Sequence, residues 1–301
     1  MLDKSQKLFL NSRKVLKIFF EIVTFACIIC FLCSCQKNEY YEITQYGLDD
    51  GSQAMFYIIK SPDGKLAVID GGTKDYATYV RQVLAQEGNK VDSWIITHPH
   101  EDHIGAFLEI MKDPGDISVS NIYTIDIDYD YYSSVAQEVD RIDVYDEFLQ
   151  LNLPNIKYLH EGDEINLIGL KMDVFNAYTD EHKDGIITGN LMNQSSLVFK
   201  ITNKKESMLF CSDTGNASIW EKEISLYGNK LEADYMQVGH HGASYNEDYF
   251  DVVGADKLFV DAPKTLREWE DYSVYGNLKL LEEKGYTIYT YETVPNTILL
   301  K

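Results

Sequence analysis

The stretch His98-Pro99-His100-Glu101-Asp102-His103 decides how this chain is read. It follows the apolar run Val91 to Ile96, so it lies where a buried strand ends and a helix begins. Three imidazoles and the Asp102 carboxylate within six positions are poor core chemistry and good metal chemistry. Neutral imidazole and carboxylate are ligands of choice for zinc and similar divalent ions, and catalytic sites hold them on a rigid scaffold with a coordination position left open. His98 and His100, at i and i+2, point the same way while the backbone stays extended. Asp102 and His103 then turn into the following helix, where they can serve a second ion.

Working outward, the 301 residues are 45% hydrophobic and 13% aromatic, which suits one large domain with a substantial core, or at most two small ones. Residues 1–34 read as a secretory signal. Lys4, Lys7, Arg13, Lys14 and Lys17 form a basic start, and Ile18 to Leu32 is apolar apart from Glu21. The ending Leu32-Cys33-Ser34-Cys35 resembles a bacterial lipobox, which makes Cys35 the lipid attachment site and 35–41 a short tether ahead of a domain over 42–301. The competing reading is an uncleaved N-terminal membrane helix. With Cys27, Cys30 and Cys33 in the signal, only Cys211 remains beyond the anchor, so a disulfide framework is excluded from the domain. The expectation is a membrane-anchored, extracytoplasmic lipoprotein with no protein partner implied.

The net charge is −21, and without residues 1–34 it becomes −24, from 22 basic and 46 acidic residues. Non-specific nucleic-acid binding relies on Lys and Arg neutralising phosphates, so this surface disfavours long DNA.

Past the tether, strand and helix patterns alternate. Met55 to Ile59 and Leu66 to Ile69 read as strands about the turn Ser61-Pro62-Asp63-Gly64-Lys65. Tyr76 to Gln86 has helical spacing, Val91 to Thr97 is a buried strand, and Ile104 to Met111 is the next helix. The second half repeats the theme, with strands over Leu197 to Ile201, Met208 to Cys211, Tyr235 to Val238, Leu258 to Val260 and Tyr286 to Tyr291. Helices fall at Ala217 to Leu226 and Leu278 to Lys284. Each half ends strands in polar residues: Asp70-Gly71-Gly72 in the first, Ser212-Asp213 and Gly239-His240-His241-Gly242 in the second. This organisation predicts two sheets face to face, helices outside, and ligands gathered along one edge.

Thr97 to Gly105 resembles the signature of the metallo-β-lactamase superfamily. Asn193 to Val198, Leu209 to Asp213 and Val238 to Gly242 are similar to the hydrolase domain of bacterial competence (DNA-uptake) channel proteins, and phosphorylcholine esterases of the superfamily look similar here too. The resemblance implies an α/β fold, the four-layer αββα sandwich of the metallo-β-lactamase type, with a two-metal phosphodiesterase site. The chain departs from the pattern in places. Channel proteins carry many membrane spans and an oligonucleotide-binding barrel, for which there is no room. Ser212 stands where glycine is usual, and Ala243 where serine is usual. The third first-site histidine of true β-lactamases is missing, with Asn193 near its place and His182 the only histidine close by in sequence.

On this reading two divalent ions, zinc or manganese, are held by His98 and His100 on one side and Asp102 and His103 on the other, bridged by Asp213. Its competing role is a cap for the helix from Ala217. Neighbouring residues leaving a strand point apart, so His241 is expected as the ligand and His240 as a substrate contact, with the reverse left open. Asp102, His240 and Asn193 are the candidate catalytic residues. Asp70 is expected to hold a ligand imidazole by hydrogen bond, or else to be a turn residue. His160 and His182 read as solvated loop residues. Asp126 to Tyr132 reads as a solvated connector, or as a rim for a cationic or sugar-bearing substrate.

The function that follows is hydrolysis of a phosphodiester or phosphomonoester, small or derived from nucleic acid, with a nuclease as the form the resemblance implies. The alternatives are lactone or β-lactam hydrolysis on the same fold, and a non-catalytic binding module with a degenerate site.

Overall fold

The chain divides into two units, Met1–Glu39 and Tyr40–Lys301. The computed structural model describes residues 39–48, 51–136, 140–183, 190–291 and 294–301. The expected signal, Cys35 and the start of the tether lie outside the described residues. Among the described residues no helix is long and apolar enough to cross a membrane.

Two seven-stranded sheets form the second unit. The first runs β16-β1-β2-β3-β5-β7-β8, with β1 Tyr41–Gln45, β2 Phe56–Lys60, β3 Leu66–Asp70, β5 Ser93–Ile95, β7 Ile122–Ile125, β8 Ile156–Leu159 and β16 Asn296–Leu300. The second runs β15-β14-β13-β12-β11-β10-β9, with β9 Glu164–Leu167, β10 Leu170–Asn176, β11 Val198–Thr202, β12 Ser207–Phe210, β13 Tyr235–Gln237, β14 Lys257–Val260 and β15 Thr287–Thr290. The short strands β4 Lys90–Val91 and β6 Ser118–Val119 pair separately. Each large sheet is antiparallel on one side and parallel on the other: β3, β5, β7 and β8 run parallel, as do β12, β13, β14 and β15. Parallel neighbours need crossovers, and helices supply most of them.

Residue alternation explains why the sheets stack. Along β12, Met208 and Phe210 enter the core shared with the first sheet, while Leu209 and Cys211 enter a second core under helices. Phe259 of β14 faces the first sheet, and its neighbours Leu258 and Val260 face outward. Successive side chains point to opposite faces, so a strand apolar at every position must be covered on both sides. Tyr57 fills the interface between sheets, with its ring centroid 5.3 Å from that of Phe210 in edge contact. The helices Ala77–Gln86, Glu101–Lys112 and Ile142–Gln150 cover the outer face of the first sheet through Val80, Val83, Ile104, Phe107 and Phe148. Ala217–Tyr227, Glu247–Val253 and Ser273–Glu283 cover the second through Trp220, Tyr249, Phe250, Val274 and Leu281. This is the four-layer αββα sandwich.

Tyr41, assigned to the tether by its sequence, opens β1 instead. β1 is laddered on both sides, to β16 and β2, and the Tyr41 hydroxyl donates to the Ile168 carbonyl. The partner strand lies more than 250 residues away in sequence, so local pattern gives no sign of it.

Candidate metal centre

The site forms where the parallel strands end. Asp70 closes β3, Thr97 and His98 follow β5, Asp213 follows β12, and His240 and His241 follow β13. The backbone there is unusual. Asp70, Ser212, His240 and His241 all have positive φ, between 48° and 54°. Left-handed backbone at four non-glycine residues is costly and clusters at functional sites. Ser212 holds this left-handed conformation, which glycine adopts most readily, while its carbonyl accepts from the His240 amide at 2.8 Å. Gly239 has a different reason. A Cβ there would lie 2.3 Å from the Thr214 carbonyl oxygen, so only glycine lets the two strand-end loops meet.

Two groups of candidate ligands result. Asp102, His103, Asp213 and His241 bring one ligand atom each within 4.8 Å of one another, and so do His98, His100 and Asp213. Asp213 belongs to both. Its carboxylate lies 3.1 Å from His103 Nε2, 3.5 Å from His241 Nε2 and 3.8 Å from His98 Nε2. It does not cap the next helix, because Asn216 does, accepting from the Ser218 amide at 2.8 Å. His241 Nε2 is 3.1 Å from Asp102, and its Nδ1 contacts the Asp261 carbonyl at 3.1 Å. His240 stands outside both groups and contacts Asn193, Nε2 to Nδ2 at 3.3 Å. Thus the structure brings His241 in among the ligand groups and sets His240 beside Asn193.

Behind these residues lie partners that fix the rings. Asp70 accepts from the Thr97 amide and hydroxyl, each at 2.8 Å, and contacts His103 Nδ1 at 2.8 Å. That leaves His103 Nε2 directed toward Asp213 and His241. Asp140, which sequence reading did not single out, is buried with Oδ1 3.0 Å from His100 Nε2. Asp261 is a second such residue. Its carboxylate accepts from Gln45 at 2.7 Å and from the Tyr57 hydroxyl at 2.8 Å, joining the two sheets directly behind His241. Asp140 and Asp261 lack a local motif, and only the folded chain brings them to the histidines.

The electrostatics describe a cluster built around positive charge. Burial alone would strip His103 of its proton, yet Asp213, Asp70 and Asp102 outweigh it and hold the pKa up to about 10. His241 is likewise held well above the ordinary imidazole range, against burial, by Asp213 and Asp102. Asp102 and Asp213 are both held low, again against burial, chiefly by His103 and His241. Burial and the neighbouring His103 and His100 push His98 well down, and its buried Nε2 has no hydrogen-bond partner. A neutral, dry imidazole aimed at a carboxylate 3.8 Å away is too far for a hydrogen bond and suitably placed for a shared cation. The donor set of imidazoles and carboxylates fits divalent ions of the zinc or manganese kind. Divalent ions held here would take the place of the Nε2 protons of His103 and His241.

Other histidines lie elsewhere. His160 is an exposed residue near Asp126 and Asp163. His182 differs from its expected solvated state. It is buried in the 3-10 turn Asp180–Lys183, its Nδ1 3.0 Å from the Thr179 amide and its ring stacked on Tyr178. It belongs to neither ligand group. Of the tyrosine-rich segment, Tyr132 is buried while Tyr129 is exposed, and Asp128 caps the helix Tyr129–Val135. The segment is an ordered helical connector.

Fold and site together define a metallo-β-lactamase-fold protein with a metal-binding cluster at one sheet edge. The sequence matches the metallo-beta-lactamase superfamily over residues 49–142. It is 36% identical over 74 residues to a UPF0173 metal-dependent hydrolase of Thermodesulfovibrio yellowstonii, a match spanning 25% of this chain and 26% of that protein. Among solved structures it is similar to the metallo-beta-lactamase fold protein YhfI from Bacillus subtilis, with a TM-score of 0.54 at 13% identity over 87% of this chain and 100% of that one. It is also similar to CmlA, a diiron β-hydroxylase from Streptomyces venezuelae, with a TM-score of 0.53 at 14% identity over 85% of this chain and 54% of that one. At these identities the structural likeness speaks to the fold.

Proposed function

We propose that this protein is a dinuclear metal-dependent hydrolase acting on small phosphoesters, held at a membrane by a lipid on Cys35. The observation that carries the reading is the meeting of two ligand groups on one buried carboxylate, Asp213. When two divalent ions are bound at such a centre, they activate water and stabilise the charge on attacking and leaving oxygens.

The chain's own residues supply the rest. His98, His100 and Asp213 hold one position, and Asp102, His103, His241 and Asp213 the other. Asp70 and the Asp261 carbonyl fix the rings of His103 and His241, so that Nε2 of each faces inward. His240 and Asn193 form the remaining polar wall. His240 is pushed toward the neutral form by burial, and Asn193 Oδ1 is buried without a hydrogen-bond partner. These two side chains are suited to orient a substrate oxygen by neutral hydrogen bonds. Asp102 is the most exposed of the candidate ligands, with 27% of its side chain open, so substrate approaches from its side.

Two features favour phosphoesters over lactones and β-lactams. Asn193 stands near the position of the third first-site histidine, and His182 is engaged with Thr179 and Tyr178 instead. The acidic surface, −24 for residues 35–301 from 22 basic and 46 acidic residues, favours small substrates over long polyanions. The test is elemental analysis of the gently purified protein, followed by a screen of chromogenic phosphodiesters, phosphomonoesters, lactones and a β-lactam. Near two ions per chain with phosphoester turnover is expected. A metal-free protein, or lactone turnover without phosphoester turnover, would refute the reading. The anchor is tested separately by mass spectrometry: an intact, unmodified N-terminus would remove it.

A further inference from the structure

Asp140 lies on no strand and in no motif, yet it is almost fully buried and both of its carboxylate oxygens accept from groups around the site. Its Oδ1 is 3.0 Å from His100 Nε2 and also accepts from the Met192 amide at 3.2 Å. Its Oδ2 accepts from the Leu191 amide at 3.0 Å, and its carbonyl accepts from the Tyr132 hydroxyl. Leu191 and Met192 open the turn Leu191–Gln194, which carries Asn193 to His240. The next residue repeats the connection on the surface: Arg141 pairs with Glu101 at 2.5 Å, between His100 and Asp102.

We propose that Asp140 is the positioning residue of the first metal position. It presents His100 to the ion through Nδ1 and at the same time sets the Asn193 wall opposite His240. The argument is one of valence and geometry. A neutral imidazole has one N–H and one lone pair. Asp140 accepts, so His100 Nε2 carries the proton, and the lone pair sits on Nδ1. A carboxylate behind a ligand imidazole fixes its tautomer and orientation and raises its basicity. Because the same carboxylate holds the amides of Leu191 and Met192, His100 and Asn193 move together. Among the described residues the first position has two imidazoles and Asp213, so it depends on this support more than the second, which has four candidate ligands.

The inference rests on the dinuclear reading for its metal arm and stands alone for its tautomer arm. In the full-length, metal-loaded protein, nitrogen-15 correlation spectra should show His100 protonated at Nε2. A proton on Nδ1 would overturn the proposal whatever the metal content. Chelator competition with zinc on Asp140→Ala should show one ion bound as in wild type and the other weakened 10–100-fold. Asp140→Asn keeps an oxygen for His100 and the Met192 amide but loses the acceptor for the Leu191 amide, so it should fall between the two and serves where the alanine variant fails to fold. Arg141→Ala, which leaves the carboxylate in place, should bind both ions as wild type does. Two ions bound with wild-type affinity in Asp140→Ala would refute the proposal, as would equal weakening of both. A wild-type protein that binds fewer than two ions would instead remove the dinuclear reading, with the tautomer measurement still deciding the role of Asp140.

Discussion

Glu223 offers a sharp physical test of the fold behind the site. It lies on the helix Ala217–Tyr227, fully buried beside Tyr249 and near Cys211, which links β12 to Asp213. Its Oε2 accepts from the Tyr249 hydroxyl at 2.6 Å, and its Oε1 has no partner. Burial is the main cause that lifts its pKa from 4.5 to about 8, with Glu161 adding to the shift and Tyr249 and Lys222 opposing it. The folded protein therefore holds a proton that the unfolded chain releases between pH 4.5 and 8. The contribution of Glu223 to stability is full below that window, falls as pH rises through it, and levels off above it. A shift of about 3.5 units at 1.36 kcal/mol each amounts to roughly 5 kcal/mol across the window, of which about 3 are lost by pH 7. Glu223→Gln cannot ionise, so it escapes this loss. Its extra N–H groups lack acceptors and cost about 1–3 kcal/mol at every pH. The variant should be the less stable protein at pH 4.5 and the more stable one at pH 8.5. Urea unfolding of both proteins from pH 4.5 to 9 measures the crossing directly. Parallel stability profiles, differing by a constant offset, would refute the argument that Glu223 folds as a neutral acid.

Three further outcomes follow from the site. Asp213→Ala should lose at least one ion and nearly all hydrolysis, whereas His182→Ala should keep both ions and lose roughly 1–2 kcal/mol of stability with its Thr179 contact; elemental analysis and thermal melting separate them. Asp70→Asn should weaken metal binding 10–100-fold without unfolding the protein, read by chelator competition, because His103 loses the carboxylate behind Nδ1. Gly105→Ala should lower stability by about 1–3 kcal/mol although alanine favours helix, since its Cβ would lie 2.5 Å from the Lys74 amide nitrogen and 2.7 Å from the Thr73 carbonyl carbon. An unchanged melting temperature would refute that close approach.

The sequence alone carried the features whose physics is local. Six adjacent residues with ligand chemistry at a strand end announce a metal site wherever the chain folds, because imidazole and carboxylate have few other reasons to crowd there. The continuous apolar runs at Leu66 to Ile69 and Met208 to Cys211 announce strands covered on both faces, and hence layers of helix outside two sheets. Even Ser212-Asp213 and the pair His240-His241 were legible, since polar residues directly after an apolar run, glycine-flanked in the case of the histidines, mark a strand-end loop. Tertiary structure decided what depends on distant partners. Asp140, Asp261, Gln45 and Tyr57 are unremarkable in their own segments and acquire roles only against His100 and His241. The pairing of β1 with β16 joins the two ends of the domain, and the burial of His182 follows from Tyr178 and Thr179 folding over it. Which of two adjacent histidines turns inward was decided likewise. The left-handed backbone after Gly239 is held by the Ser212 carbonyl in the loop that follows β12, and a hydrogen bond between two strand-end loops leaves no trace in local spacing.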